Sequence, residues 1–283
     1  MSPEERIAVI GMGTMGRGIA EVLLTSGFEV ACVDVDKEIL LSSTTKLKES
    51  LTKSFERGSL KEKPDILLRR HVADTGYETV RGCQYLIEAV SENMAEKCRV
   101  LQAAEPILDA NTVMATNTSS LSVSDMARLL RNPSRFVGMH FFNPVQKMAL
   151  VEIVRGRDTS EATVDRCVGL AIKLGKTPIV VKDSPGFVVN RLLIPYLLEA
   201  GRLLDNGVAS PKDVDMCMKL GAGHPMGPFE LADLIGIDII MDIAEGLRKR
   251  GVGALDEGTP QSFQKLRNEG KLGRKTRRGF FDY

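Results

Sequence analysis

RIAVIGMGTMGRGIAEVLLTSGFEVACVD, residues 6–34, carries the clearest fold signal in the chain. Residues 6–10 form a short apolar run that reads as a strand. Gly11-Met12-Gly13-Thr14-Met15-Gly16 follows, then a helical pattern to Ser26 that Gly27 stops. Residues 28–33 are a second apolar strand, ending at Asp34. The unit is therefore βαβ with G-x-G-x-x-G at its first turn. The first glycine allows the tight turn, the second lets a pyrophosphate approach the backbone, and the third lets helix and strand pack closely. The helix N-terminus adds free N–H groups and a positive dipole end. Glycine-rich turns arise by chance, so a purely structural turn is the competing reading. The strand, helix and acid in register point instead to a dinucleotide. Asp34 lies where an acid accepts hydrogen bonds from an adenine-ribose 2′-OH, and it repels a 2′-phosphate, which favours NAD over NADP.

Outward from that unit the pattern repeats. Apolar strand-like runs stand at 72–74, 85–90, 112–116, 136–140, 150–154 and 178–181. Helical patterns fall between most of them, at 37–57, from Asn93 to about Leu108, and at 161–174. Alternation of this kind predicts an α/β fold, a Rossmann-like doubly wound and mostly parallel sheet. No strand signal follows Val181. Residues 188–205 read as a long apolar helix that Pro195 should kink, and Ser210-Pro211-x-Asp213 reads as N-cap, N1 proline and N3 acid. Further helices are expected at 213–220, 228–235, 237–250 and 261–269. The expectation is two domains, 1–183 with the sheet and 184–283 all-helical, with a hinge-like turn at 183–187.

The stretch from Asn117 to Glu152 carries the candidate chemistry. One of only three histidines, His140, ends a buried strand before an Asn-Pro break. A histidine so placed can carry a proton, and a carboxylate on a neighbouring strand can orient it. Glu152 sits amid Leu150, Val151, Ile153 and Val154, where an unpaired charge is costly; an outward, solvated Glu152 is the bland alternative. Asn117 and Ser119 leave the C-terminal end of a strand, where doubly wound sheets bind ligands, although Ser119 also reads as a turn or cap hydroxyl. Glu92 reads blandly as an acid in a first helical turn, and Lys97 as an exposed helix lysine. Asn190, in an apolar helix, needs a partner. Lys46, Ser50, Lys53 and Arg57 share one helix face, which is either solvated or a docking surface for a phosphate-rich ligand.

Composition sets bounds. With 283 residues, 43% hydrophobic content and a net charge of +1, the chain reads as a soluble globular protein with no global case for nucleic acid or membrane binding. The basic tail (Arg274, Lys275, Arg277, Arg278) lacks aromatic interleaving, so a solvated tail is favoured over a nucleic-acid patch. Five scattered cysteines without a CxxC pair read as reduced thiols in a cytoplasmic protein with no metal site. The N-terminus enters a strand almost at once, leaving no room for a targeting peptide.

Seven segments, taken in order, resemble the L-3-hydroxyacyl-CoA dehydrogenase family over essentially the whole chain, most closely its 3-hydroxybutyryl-CoA dehydrogenases. They are IAVIGMGTMG, EAVSENMAEK, NTSSLS, HFFNPVQKMALVEIV, DSPGFVVNRLL, GHPMGPFELADLIGID and GRKTRRGFFDY. The resemblance implies an active site of Ser119, His140, Glu152 and Asn190, complete only when the two domains close. It implies NAD contacts at Gly11, Met12, Gly13, Thr14, Met15, Gly16, Asp34, Glu92, Lys97, Asn117, Ser119, Asn143 and Lys275. It places coenzyme A contacts at Ser50 and Arg57, and makes Ser119 a substrate-binding residue as well. It also implies a part in fatty acid metabolism, an acyl-CoA substrate and a homodimer through the helical domain. One residue departs from the pattern: Arg277 stands where relatives usually have glycine, and a Cβ there bears on the path of the tail and on Lys275. An NAD-dependent dehydrogenase of a free hydroxy acid or sugar acid, and a non-catalytic NAD(H) binder, are the competing readings.

Overall fold

The computed structural model describes residues 5–283. Its chain divides into two units, one ending at Ser184 and the other beginning at Pro185.

The first unit is built on an eight-stranded sheet, in the order β3-β2-β1-β4-β5-β6-β7-β8. The strands are β1 (Arg6–Ile10), β2 (Glu29–Val33), β3 (His71–Asp74), β4 (Tyr85–Glu88), β5 (Val113–Thr116), β6 (Phe136–Phe141), β7 (Leu150–Arg155) and β8 (Thr177–Lys182). All neighbours run parallel except β6 and β7. Strands β1, β4, β5 and β6 are almost continuously apolar because helices cover both faces of a parallel sheet. Those helices are α1 (Thr14–Thr25), α2 (Lys37–Glu56), α3 (Pro64–Leu68), α4 (Met94–Ala104), α5 (Val123–Ala127) and α6 (Glu161–Lys173). Leu40, Ser43, Leu47 and Leu51 form the buried stripe of α2, and Asp36 caps its N-terminus. Strand order reverses between β1 and β4, the switch point at which such sheets bind ligands beyond their carboxyl ends.

The second unit holds α7 (Val189–Asp205), α8 (Pro211–Ala222), α9 (Pro228–Ile235), α10 (Ile237–Lys249) and α11 (Gln261–Asn268) around its own apolar core of Ile194, Leu197, Ile240, Leu247 and Phe263. Among the described residues no named strand follows Lys182; the tail makes only two isolated bridges, Gly273 with Arg278 and Arg278 with Asp282. Pro195 lies inside a continuous α7. No helix among the described residues is long and apolar enough to cross a membrane.

Several local expectations are corrected. Glu92 is not in a helical turn: Asn93 takes the N-cap of α4, accepting from the Glu96 amide, so Glu96 is the first-turn acid. The helix expected to reach Leu108 ends at Ala104, and a 3₁₀ turn containing Pro106 follows. Lys97 is not exposed but fully buried, because two acids surround its ammonium. Glu152, by contrast, is buried as the paired reading expected, and the solvated alternative does not hold.

Candidate active site

The three motif glycines differ in what surrounds them. A Cβ on Gly11 would lie 2.6 Å from the Val90 nitrogen, and one on Gly16 would lie 1.8 Å from the Gly11 carbonyl oxygen. Both positions are closed by packing. A Cβ on Gly13 would meet no atom within 4 Å. That opening suits a group approaching the backbone from outside, as a pyrophosphate does. Beside it lies a cavity of ≈ 460 Å³ lined in part by Gly11, Gly13, Thr14, Met15 and Asp34. Met12 is buried behind the turn. Its amide donates to Asp34 Oδ2 at 2.7 Å, and the Asp36 amide donates to Oδ1 at 3.0 Å, which fixes the acid at the end of β2. The residues fit a dinucleotide with an unphosphorylated 2′-OH. Sequence reasoning missed Ile39, Tyr77 and Arg99 on the same wall. Ile39, an exposed apolar residue in the first turn of α2, was the one available signal.

Farther along the same sheet end, antiparallel pairing sets His140 directly opposite Glu152. Direct cross-strand partners share a face, and because β7 runs antiparallel its start lies beside the end of β6. His140 Nδ1 stands 2.7 Å from Glu152 Oε2, with His140 4% and Glu152 1% exposed. A carboxylate only accepts, so Nδ1 donates its proton to it, and in the neutral imidazole the lone pair then lies on Nε2. The Phe142 ring, 4.4 Å away between centroids, covers the imidazole. Asn117 Oδ1 accepts the Phe141 amide at 2.9 Å, tying the end of β5 to the residue after His140. The bond from Asn143 to Pro144 is cis.

Ser119 has a structural task that the sequence did not reveal. Glu92 Oε1 accepts from the Thr118 hydroxyl at 2.7 Å, the Ser119 amide at 2.8 Å and the Ser120 amide at 2.9 Å. Glu92 Oε2 is 3.5 Å from the Lys97 ammonium, which also donates to Glu88 at 2.9 Å and to the Val90 carbonyl at 3.1 Å. Glu88 was overlooked, although as the one acid inside the apolar run YLIEAV it gave the same signal as Glu152.

On α2, Lys46 and Lys53 are exposed, as is Arg57 just past its end, while Ser50 is half-buried. The Ser50 hydroxyl donates to Glu21 Oε1 at 2.8 Å, and Gln146 donates to the other oxygen at 2.7 Å. With its proton committed, Ser50 meets a ligand as an acceptor.

The remaining residues belong to the second unit. Asn190 is buried in the first turn of α7. The Lys275 ammonium pairs with Asp238. Burial alone would raise the Asp238 carboxyl, but the Lys275 ion pair outweighs it and holds that carboxyl below its ordinary value. Arg277 adopts the left-handed conformation, φ 59° and ψ 7°.

Comparison with known proteins places the chain in a family. Residues 6–184 match the family model "3-hydroxyacyl-CoA dehydrogenase, NAD binding domain", and residues 186–283 match "3-hydroxyacyl-CoA dehydrogenase, C-terminal domain". A probable 3-hydroxybutyryl-CoA dehydrogenase of Bacillus subtilis is 40% identical, over 99% of this chain and 97% of its own. The mitochondrial hydroxyacyl-coenzyme A dehydrogenase of Sus scrofa is 39% identical, over 99% and 91%. The crystal structure of (S)-3-hydroxybutyryl-CoA dehydrogenase from Ralstonia eutropha superposes with a TM-score of 0.92 at 38% identity, covering 99% of both chains. With an NAD-binding domain and a C-terminal domain both matched in order, the chain belongs to the 3-hydroxyacyl-CoA dehydrogenase family.

Proposed function

We propose that the protein catalyses the reversible, NAD-dependent oxidation of (S)-3-hydroxyacyl-CoA to 3-ketoacyl-CoA, with 3-hydroxybutyryl-CoA the foremost substrate. The observation that carries this reading is the buried His140–Glu152 pair, 2.7 Å apart, on the sheet end that also bears the glycine turn. Oxidation removes a hydride from C3 and a proton from the 3-OH. Bound NAD⁺ supplies the hydride acceptor. His140 takes the proton at Nε2 while Nδ1–H stays on Glu152, whose charge stabilises the imidazolium. In the reverse direction the same nitrogen returns the proton. Ser119 and Asn190 hold the substrate oxygen, and donors there stabilise developing negative charge.

Gly11, Met12, Gly13, Thr14, Met15, Gly16 and Asp34 form the proposed adenosine and pyrophosphate side of the cofactor site. Glu92, Asn117, Ser119, Asn143 and Lys275 form its remainder, with the fully buried Lys97 holding Glu92 from behind. Ser50 and Arg57 receive coenzyme A, Arg57 by charge and Ser50 by accepting an N–H or O–H from it. A homodimer through the helical unit belongs to the same reading, supported by exposed Leu192, Val208, Leu220 and Leu234 on one small unit. Light scattering after size exclusion tests it, and a monomer at micromolar concentration would reject it. A cytoplasmic setting rests on five free cysteines, four of them buried.

The decisive assay is NADH consumption with acetoacetyl-CoA and, separately, with free acetoacetate. Turnover of the thioester alone is expected. Turnover of the free acid at a similar rate would favour a hydroxy-acid dehydrogenase, and none at saturating thioester would favour an NAD(H) binder. His140→Gln is expected to lose roughly 10²–10⁴-fold in turnover while binding NADH as the wild type does.

A further inference from the structure

Glu88 takes no part in the proton chemistry, yet it is fully buried at the end of β4, on the sheet end that carries the site. Its Oε1 accepts from the Lys97 ammonium at 2.9 Å and from the Val90 amide at 2.7 Å, and its Oε2 accepts from the Thr116 hydroxyl at 2.6 Å. Lys97 is itself fully buried. Taking both charges out of water is expensive, and apolar side chains of similar volume would serve stability as well. The pair is therefore poorly explained as a packing device. What distinguishes it is the ammonium's second acid: Glu92, whose Oε2 lies 3.5 Å from Lys97, and whose Oε1 gathers the Ser119 and Ser120 amides.

We propose that Glu88 is a positioning residue for Ser119. It fixes the Lys97 ammonium, the ammonium fixes Glu92, and Glu92 fixes the two amides that flank the Ser119 side chain. Oxygen by oxygen the chain is closed. Glu88 holds the ammonium on its inner side, so that Glu92 keeps one oxygen for Lys97 and one for the turn. Without the Glu88 charge the ammonium has a single acid left and draws Glu92 into a full ion pair. Oε1 then leaves the turn, and the Ser119 and Ser120 amides lose Glu92 as an acceptor, Ser120 keeping the longer contact to the Thr118 hydroxyl at 3.4 Å. The inference rests on the function proposed above only for the role of Ser119 in turnover; the structural coupling stands apart from it.

Hydrogen exchange on the full-length protein tests the coupling directly. In Glu88→Gln the Ser119 and Ser120 amides are expected to lose at least about 10-fold in protection, while β1 amides keep wild-type protection. Unchanged protection at those two amides in a folded variant would overturn the proposal. Should Glu88→Gln fail to fold, the double variant Glu88→Gln/Lys97→Met removes both charges of the buried pair and with them the ammonium that anchors Glu92 Oε2; its Ser119 and Ser120 amides should still exchange faster, and wild-type protection there would equally overturn it. The kinetic arm is a double-mutant cycle with acetoacetyl-CoA. Glu88→Gln should lower kcat by about 10-fold or more in the wild type and by less than about 3-fold in a Ser119→Ala background, since residues acting as one unit are non-additive. Fully additive losses would reject action through Ser119. Exchange needs no substrate, so a wild-type protein inactive on acetoacetyl-CoA would sink the functional reading and leave the exchange result to decide this one.

Discussion

Gly13 and Gly16 sit three residues apart and do opposite work. Gly16 is packed against the Gly11 carbonyl, whereas Gly13 faces open space beside the cavity. Gly16→Ala should therefore cost stability, about 1–3 kcal/mol or more, because the turn and helix must separate. Gly13→Ala should leave the melting temperature near wild type and weaken NADH binding by about 10-fold or more, since the new methyl fills only the ligand's space. Thermal melts and NADH fluorescence titrations on both variants separate the two roles, and equal melting temperatures would contradict this division. Glu152 invites a similar comparison. Glu152→Gln preserves shape and can still accept from Nδ1, but it removes the charge that stabilises the imidazolium. A loss of about 10²-fold or more in kcat with little change in NADH affinity is expected. A variant with wild-type kcat would remove Glu152 from the proton chemistry.

Among the elements, the C-terminal tail shows most clearly how a short segment is held. Asp233 is buried at the end of α9 and accepts from the Phe280 and Phe281 amides, both at 2.9 Å, and from the Tyr283 hydroxyl at 3.1 Å. A Cβ on Gly279 would sit 1.9 Å from Asp233 Oδ1, so the clasp leaves no room there for a side chain. Arg277 lies inside this tightly held segment with φ at 59°, a conformation that disfavours any Cβ. Arg277→Gly removes that strain but adds freedom to the unfolded chain, so a net gain of about 0.5–1 kcal/mol is expected in urea melts. The Lys275–Asp238 ion pair should show a pH signature. The Asp238 carboxyl is lowered in the fold, so its contribution is present above the ordinary carboxylate value and fades as pH falls through the folded one. Because Lys275 is 44% exposed, the contribution is at most about 1 kcal/mol. The stability gap between wild type and Lys275→Gln should be full at about pH 7 and narrow as pH falls below the ordinary carboxylate range, and a gap that does not narrow on acidification would assign the stabilisation to something other than the charge pair.

On the scale of the whole molecule, the sheet-bearing unit and the helical unit each own an apolar core. The fragment 1–184 should fold cooperatively and bind NADH, because every residue lining the cavity lies within it. It should not turn over acetoacetyl-CoA, because Asn190, proposed to hold the substrate oxygen, lies outside it. A fragment that binds no NADH would show that the helical unit is needed to build the cofactor site. What the amino-acid sequence determined by itself was local and periodic. The glycine spacing, the apolar strand runs and Asp34 needed only short-range chain geometry, so the βαβ unit and the alternation of strands and helices were legible directly. His140 and Glu152 were legible as anomalies, polar residues in apolar strands. Their pairing was expected from the family resemblance rather than from any local pattern, because it depends on β7 running antiparallel to β6, a long-range choice. The burial of Lys97 turns on long-range packing as well. On its helix it reads as solvated, and only the docking of α4 beside β4 places Glu88 and Glu92 around it. Burial is a property of what packs against a residue. The sequence therefore named the charged groups of the site, while the tertiary structure alone decided which of them face water and which hold one another in place.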